Sequence, residues 1–310
     1  MQKQIICIGA ALVDELYSAT APMLLATTND ATVHRSAGGV SRNVAHQLAL
    51  LGLPVQLISV FGNDGEGDWL KTICSYTNIK LDAAITTHSL TGKYTGILNF
   101  DGSLFTALIT NAELELITPE HLQKHENLLK DAAFIVVDAN ISVETIAWLA
   151  EFCFENKIPF VLEPVSVPPA AKFSKASLKG ISILTPNEDE LPALCTNKNY
   201  TTIQQQAEEL LNRGAEKIWL HSGAAGSTLF TKEKSIHLAA PNVTNIKDVT
   251  GAGDGSLSGF ILAQYLGKSD EESLKIAHTL SAEILQVNGA IATHIKQVDL
   301  LGLVEKYYPN

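Results

Sequence analysis

Six short apolar, β-branched runs punctuate the chain, at residues 4–8, 55–60, 134–138, 160–163, 181–184 and 218–221. Between them, apolar residues recur at helical spacing over 42–51, 69–76, 143–156, 188–195 and 203–212. A strand that is apolar on both faces must be covered on both, and helical crossovers do this for parallel strands. The alternation therefore predicts an α/β fold with a doubly wound, mostly parallel central sheet flanked by helices. After Gly214 the pattern changes to an antiparallel ribbon, 227–231 and 235–239, followed by three helices. No repeat or long linker intervenes, so residues 1–310 read as a single domain.

One segment breaks the alternation. Residues 94–100 and 103–109 are strand-like and are joined by Asp101-Gly102, the signature of a two-residue hairpin turn. With 12–18 and 32–36 they suit a small second sheet, a lid or dimer surface built from segments of about 12–36 and 91–110. A decorated edge of the main sheet fits the same residues.

Charge and cysteine usage narrow the function. A net charge of −11 over 310 residues argues against nucleic acid or an anionic membrane as partner, because either needs a basic face. Polyphosphate would then need local amides, a few cations and a metal ion. Cys7, Cys74, Cys153 and Cys195 are scattered, form no C-x-x-C pair and read as buried reduced thiols. The apolar stretch near Met1 is too short for a signal peptide and no run approaches a membrane span, so a cytoplasmic protein is expected.

Residues 248–260, DVTGAGDGSLSGF, carry the most chemistry. Gly251, Gly253 and Gly255, with Thr250 and Ala252, open a helix expected from about Ala252 to Tyr265. Bare amides at a helix start attract anions, and glycine lets a ligand come close. Asp254 sits inside that first turn, a poor phosphate ligand but a good acceptor for the proton of an attacking hydroxyl. The pairing suggests a kinase; a simple capping turn accounts for the same residues.

Three further segments have both a functional and a bland reading. Gly38-Gly39 let backbone pack against a ligand, and Asn43 in the following helical turn can hydrogen-bond sugar hydroxyls. Asp14 lies after the first strand, where open α/β sheets bind ligands. Otherwise these are a turn and a helix start. Asn187 with Glu190 has the spacing of a helix cap, and also that of oxygen groups near a phosphate-bound Mg²⁺. Ser222, Gly223 and Gly226 suit a loop along a nucleotide, or any hairpin connection. The turn after the first strand lacks G-x-G-x-x-G, and Gly267-Lys268-Ser269 follows a helix and lacks the earlier P-loop glycine. The nine histidines form no H-E-x-x-H or similar metal spacing.

Gly38-Gly39 with Asn43, then Asn187-x-x-Glu190, then Gly251-Ala252-Gly253-Asp254, in this order, resemble the ribokinase-like (PfkB) family of carbohydrate and nucleoside kinases over essentially the whole chain. Residues 39–43, 138–142 and 163–166 most resemble bacterial pseudouridine kinases. The resemblance implies a doubly wound core with a β lid, often a homodimer interface. It implies Asp254 as catalytic base, with Gly251, Ala252 and Gly253 as anion hole. Asp14, Gly38, Gly39, Asn43 and Asn140 would hold the substrate. Asn187, Ser222, Gly223, Gly226 and Asn288 would serve the nucleotide, and Glu190 would hold Mg²⁺ through water. Asp248 and Thr250 match a monovalent-cation site, implying K⁺ beside ATP and Mg²⁺. The implied reaction is ATP-dependent phosphorylation of a sugar or nucleoside hydroxyl, pseudouridine first. Another nucleoside, a free sugar such as ribose or fructose, or a non-catalytic binding module are the alternatives. Two positions depart from the pattern: Leu12 replaces a common Asn, and Glu163 a common Asp.

Overall fold

A computed structural model describes residues 2–309. The strands are β1 (Gln4–Ile8), β2 (Leu12–Ala19), β3 (Ala31–Gly38), β4 (Val55–Ile58), β5 (Val60–Gly62), β6 (Ile85–Thr87), β7 (Lys93–Leu98), β8 (Leu104–Thr110), β9 (Ala132–Asp138), β10 (Phe160–Glu163), β11 (Ile183–Leu184), β12 (Lys217–His221), β13 (Ser227–Phe230) and β14 (Ser235–Leu238). The helices are α1 (Val40–Leu50), α2 (Gly65–Tyr76), α3 (Pro119–Gln123), α4 (Glu126–Lys130), α5 (Val143–Asn156), α6 (Val167–Ala171), α7 (Glu190–Leu194), α8 (Ile203–Asn212), α9 (Ala252–Tyr265), α10 (Asp270–Ile284) and α11 (Gln297–Tyr307).

The main sheet has the order β14-β13-β12-β11-β10-β9-β1-β4. Strands β4 to β12 in that order are parallel, and the ribbon β13-β14 is antiparallel, as the sequence pattern predicts. Alternate residues of β1 explain the apolar run. Ile5 and Cys7 pack with Val44, Phe260 and Ile261 on one face, while Ile6 and Ile8 pack with Ile146 and Leu149 on the other. All four cysteines are buried free thiols.

The small sheet, order β3-β2-β7-β8, is separate from the main one, so the decorated-edge reading is wrong. Lys93 Nζ meets Glu15 and Glu66, and Arg35 meets Glu66, each at 3.0 Å, tying the base of this sheet to α2. Three local expectations change. The run 55–60 splits, because β5 leaves the main sheet to pair with β6. Helix 188–195 contracts to Glu190–Leu194. The Asp101-Gly102 turn is not two residues long: Asn99 N donates to Ser103 O at 2.8 Å, and Gly102 takes φ +85°. A three-residue loop with glycine in the left-handed position results.

Candidate active site

The carboxyl ends of β1, β9 and β10 meet the N-termini of α1 and α9. Asp138, the last residue of β9, is buried with both oxygens occupied. Its Oδ2 accepts from Ala10 N at 2.8 Å and Ser41 N at 3.0 Å, and its Oδ1 from Asn140 N at 3.1 Å and Asn140 Nδ2 at 2.9 Å. One carboxylate thus pins the turn after β1, the start of α1 and the side chain of Asn140. A helix N-terminus with charge-assisted bonds offsets the burial of its charge.

Gly251, left-handed at φ +76°, precedes α9, and a Cβ there would lie 2.4 Å from Ala290. Among the described residues, no acceptor meets the N–H groups of Gly253 and Asp254. These are the open amides of a helix start, available to an anion. Asp254 Oδ2 accepts from Asn43 Nδ2 at 2.7 Å. The Asn43 carbonyl is held in turn by Arg42 Nη2, which also donates to Ala37 O. Arg42 is buried and also donates from Nε to Gly38 O at 3.2 Å and from Nη1 to His46 Nδ1 at 2.9 Å. Asn43 is therefore oriented by a cation behind it and presents its N–H to Asp254. Burial pushes Asp254 up to about 6, against the Asn43 bond and the Arg42 charge, and Asp138 and Asp14 add to the rise.

Asp14, on β2, is likewise pushed up to about 6 by burial, opposed by Arg42. Gly38 is required beside it: a Cβ at Gly38 would stand 2.2 Å from Asp14 Oδ2. At Gly39, with φ +93°, a Cβ would stand 2.3 Å from Ala10 O. The paired glycines are more than a turn; they let β3 and the α1 start close onto the site.

Asn187 and Glu190 form the reciprocal cap their spacing predicts. Asn187 Oδ1 accepts from Asp189 N and Glu190 N, and Glu190 Oε2 accepts from Asn187 N, all at 2.9 Å. Asn187 Nδ2 and Glu190 Oε1 keep no partner among the described residues. Glu190 is raised by burial and Glu163 well raised, by burial first and then by the charges of Glu190 and Asp254. Both Glu163 oxygens are engaged, by Val165 N at 3.2 Å and by the Thr185 hydroxyl. Among the described residues no group of three or more His, Cys, Asp and Glu is arranged to hold a metal ion by itself.

Two cavities flank this centre. One of about 590 Å³ is lined by Gly223, Gly226, Ala252, Gly253, Ser256, His278 and the 240–243 segment. Ser222, Asn187 and Asn288 do not line it. Ser222 closes the neighbouring turn through its N–H to Gly226 O at 2.8 Å, and Asn288 is exposed. Asp248 accepts from Thr250 N and Gly289 N, both at 2.9 Å, which holds its carboxyl below the usual range and staples 248–250 to the 285–289 turn. The second cavity, about 420 Å³, lies between residues 10–12 and the small sheet, with Thr91, Asn111 and Glu113 among its polar lining. Asn140 gives its N–H to Asp138 and its Oδ1 accepts from Asn111 Nδ2 at 3.3 Å, bridging the two sheets.

Sequence reasoning missed Arg42 and Asp138 as site residues. A cation in the first turn of a helix opposes the dipole, and an acid ending an otherwise apolar strand demands donors; each was a signal.

The chain is 30% identical over 266 residues to Uncharacterized sugar kinase YeiI of Escherichia coli (strain K12), covering 84% of this chain and 72% of that protein. It is 27% identical over 304 residues to Pseudouridine kinase of the same organism, covering 97% and 96%. Its fold matches Arabidopsis thaliana ribokinase complexed with ribose and ATP, with TM-score 0.82 and 24% identity over 98% of this chain and 99% of that one. Over residues 2–297 the sequence matches the model of the pfkB family carbohydrate kinases, and the chain belongs to that family, as a phosphotransferase with an alcohol acceptor on a ribokinase-like fold.

Proposed function

We propose that the chain transfers the γ-phosphoryl group of ATP to the 5′-hydroxyl of pseudouridine. The observation that carries the acceptor is similarity to a pseudouridine kinase along nearly the full length of both chains, 97% and 96%. The 420 Å³ cavity is consistent with it, since the Glu113 carboxylate is an acceptor for the N–H groups of a uracil ring. A free-sugar acceptor is the second reading, favoured by the 30% identity to a sugar kinase. ADP release measured against pseudouridine, uridine, adenosine, ribose and fructose decides between them. Preference for pseudouridine by at least about tenfold in kcat/KM supports the proposal; preference for a free sugar overturns it.

In this reading Asp14 and Gly39 seat the sugar, and Asp254 takes the hydroxyl proton as the loose transition state forms. The open amides of Gly253 and Asp254 stabilise the travelling phosphoryl group. The 590 Å³ cavity seats the nucleotide. Mg²⁺ carried with ATP would neutralise phosphate charge, and Glu190, whose Oε1 has no partner among the described residues, would hold a water of its shell. Asp248, ionised, and Thr250 are assigned to K⁺; equal turnover in K⁺ and tetramethylammonium would remove that assignment.

The small sheet acts as a lid over the acceptor and pairs with a second copy of the chain. Its outer strand β8 exposes Leu104, Phe105, Leu108 and Ile109 by 50–67%, an apolar edge of the kind that a partner covers. Sedimentation at micromolar concentration tests the pairing, and Leu108→Lys is expected to give monomers.

A further inference from the structure

Ala240, Pro241, Asn242, Val243 and Ile246 form one wall of the 590 Å³ cavity. They belong to a stretch between β14 and α9 with neither helix nor strand. Among the described residues, the hydrogen bonds of residues 239–246 to the rest of the chain all end on Ala239 O, where Tyr308 Oη donates at 2.9 Å and the His278 imidazole lies within reach of the same carbonyl. A wall tied at one carbonyl is placed by whatever grips that carbonyl.

The gripping hydroxyl ends a chain whose polarity is set from the carbonyl end. Trp219 Nε1 can only donate, and does so to Ser227 Oγ at 2.8 Å. Ala239 O can only accept, so the Tyr308 proton points to it and the Tyr308 oxygen accepts from His278 Nδ1 at 2.9 Å. A neutral imidazole protonated on Nδ1 leaves Nε2 bare, to accept from the Ser227 hydroxyl at 2.8 Å. Burial keeps His278 neutral, its pKa pushed down to about 4. Every donor has an acceptor from β12 to the cavity wall, and His278 itself lines the cavity. The Trp219–Ser227–His278 part of the chain is buried and holds one geometry because a broken link there strands a polar group, while the Tyr308–Ala239 link lies at the surface.

We propose that Tyr308 is a positioning residue for the nucleotide: through Ala239 it fixes the 239–246 wall against α10, and cutting the Trp219–Ser227–His278–Tyr308 chain weakens nucleotide binding. It touches no reacting atom. The inference rests on the reading of the 590 Å³ cavity as the nucleotide's seat.

Tyr308→Phe keeps the ring and removes only the hydroxyl. Calorimetric titration of ADP and a non-hydrolysable ATP analogue onto the intact protein reads the effect without knowledge of the acceptor. Kd is expected to rise about three- to tenfold, the scale of one or two hydrogen bonds, with KM for ATP rising in parallel. The acceptor KM and kcat stay within about twofold. Ser227→Ala, which cuts the buried end, moves Kd in the same direction. An unchanged Kd in Tyr308→Phe, or a parallel loss of kcat and both KM values, overturns the proposal, since the chain then merely braces the fold. Ala282→Trp, which fills the cavity, separates the two ideas. If it leaves nucleotide binding intact, the cavity is not the seat and the proposal falls with it. If it abolishes binding while Tyr308→Phe is silent, the proposal alone fails.

Discussion

The side-chain amide of Asn43 donates to Asp254 Oδ2 at 2.7 Å, joining two residues 211 positions apart. The other end of that amide is gripped by Arg42, so the orientation of the acid is set from the core outward. The proposed mechanism requires a proton acceptor aimed before substrate arrives, and this relay would aim Asp254 for that role.

Arg42→Met removes the buried cation that opposes protonation of Asp14 and Asp254. Both acids should titrate higher, so the acidic limb of kcat/KM moves up by about one pH unit. Folding stability should fall by about 3 kcal/mol, as for other broken buried charge networks. Equilibrium denaturation and a pH–rate profile measure the two effects; an unmoved limb would contradict the relay.

Gly38→Ala places a Cβ where the Asp14 carboxylate now lies. The acceptor KM should rise at least about tenfold, with KM for ATP nearly unchanged. Equal effects on both substrates would show that Asp14 does not serve the acceptor alone.

With Asp254 and Asp14 both raised to about 6, kcat/KM should fall as pH drops through 6, with a limb belonging to the pair rather than to either acid. The stability sign is the reverse. An acid whose folded pKa exceeds its unfolded value near 4 favours folding below that pH, and this contribution is lost as pH rises through 6. Asp254→Asn should therefore gain Tm relative to the parent between pH 4 and 7. A constant Tm difference would mean that the acid is not raised.

Much of this was legible in the sequence because strands buried on both faces and glycine-flanked helix starts leave strong local patterns. Each of the six apolar runs falls on one of the six parallel strands, though 55–60 and 181–184 contract, and the glycines of 251–255 mark the start of α9. What local pattern did not carry was tertiary. The departure of β5 from the main sheet depends on β6, 25 residues away between Val60 and Ile85. The position of Arg42 in the first turn of α1 marks it as unusual, but its partners Asp14 and Asp254 come together only in the fold. Asn187 and Glu190 showed the opposite limit, since cap and ligand readings share one spacing and the fold realises the cap.

Asp138→Asn tests the hidden half of the site. An amide in place of that carboxylate turns an N–H toward donors at Ala10, Ser41 or Asn140. Stability should drop by about 2–4 kcal/mol by denaturant titration, and kcat should fall because the α1 start and Asn140 shift together. A fully active, equally stable variant would show that Asp138 organises nothing.

The most direct measurement is turnover of Asp254→Asn, with ATP binding followed separately. Asparagine keeps the size of the side chain but cannot take the proton. Turnover should fall by at least about 10²-fold while the nucleotide Kd stays within about threefold. Near-parental turnover would contradict the account, because the reacting hydroxyl would then be losing its proton elsewhere.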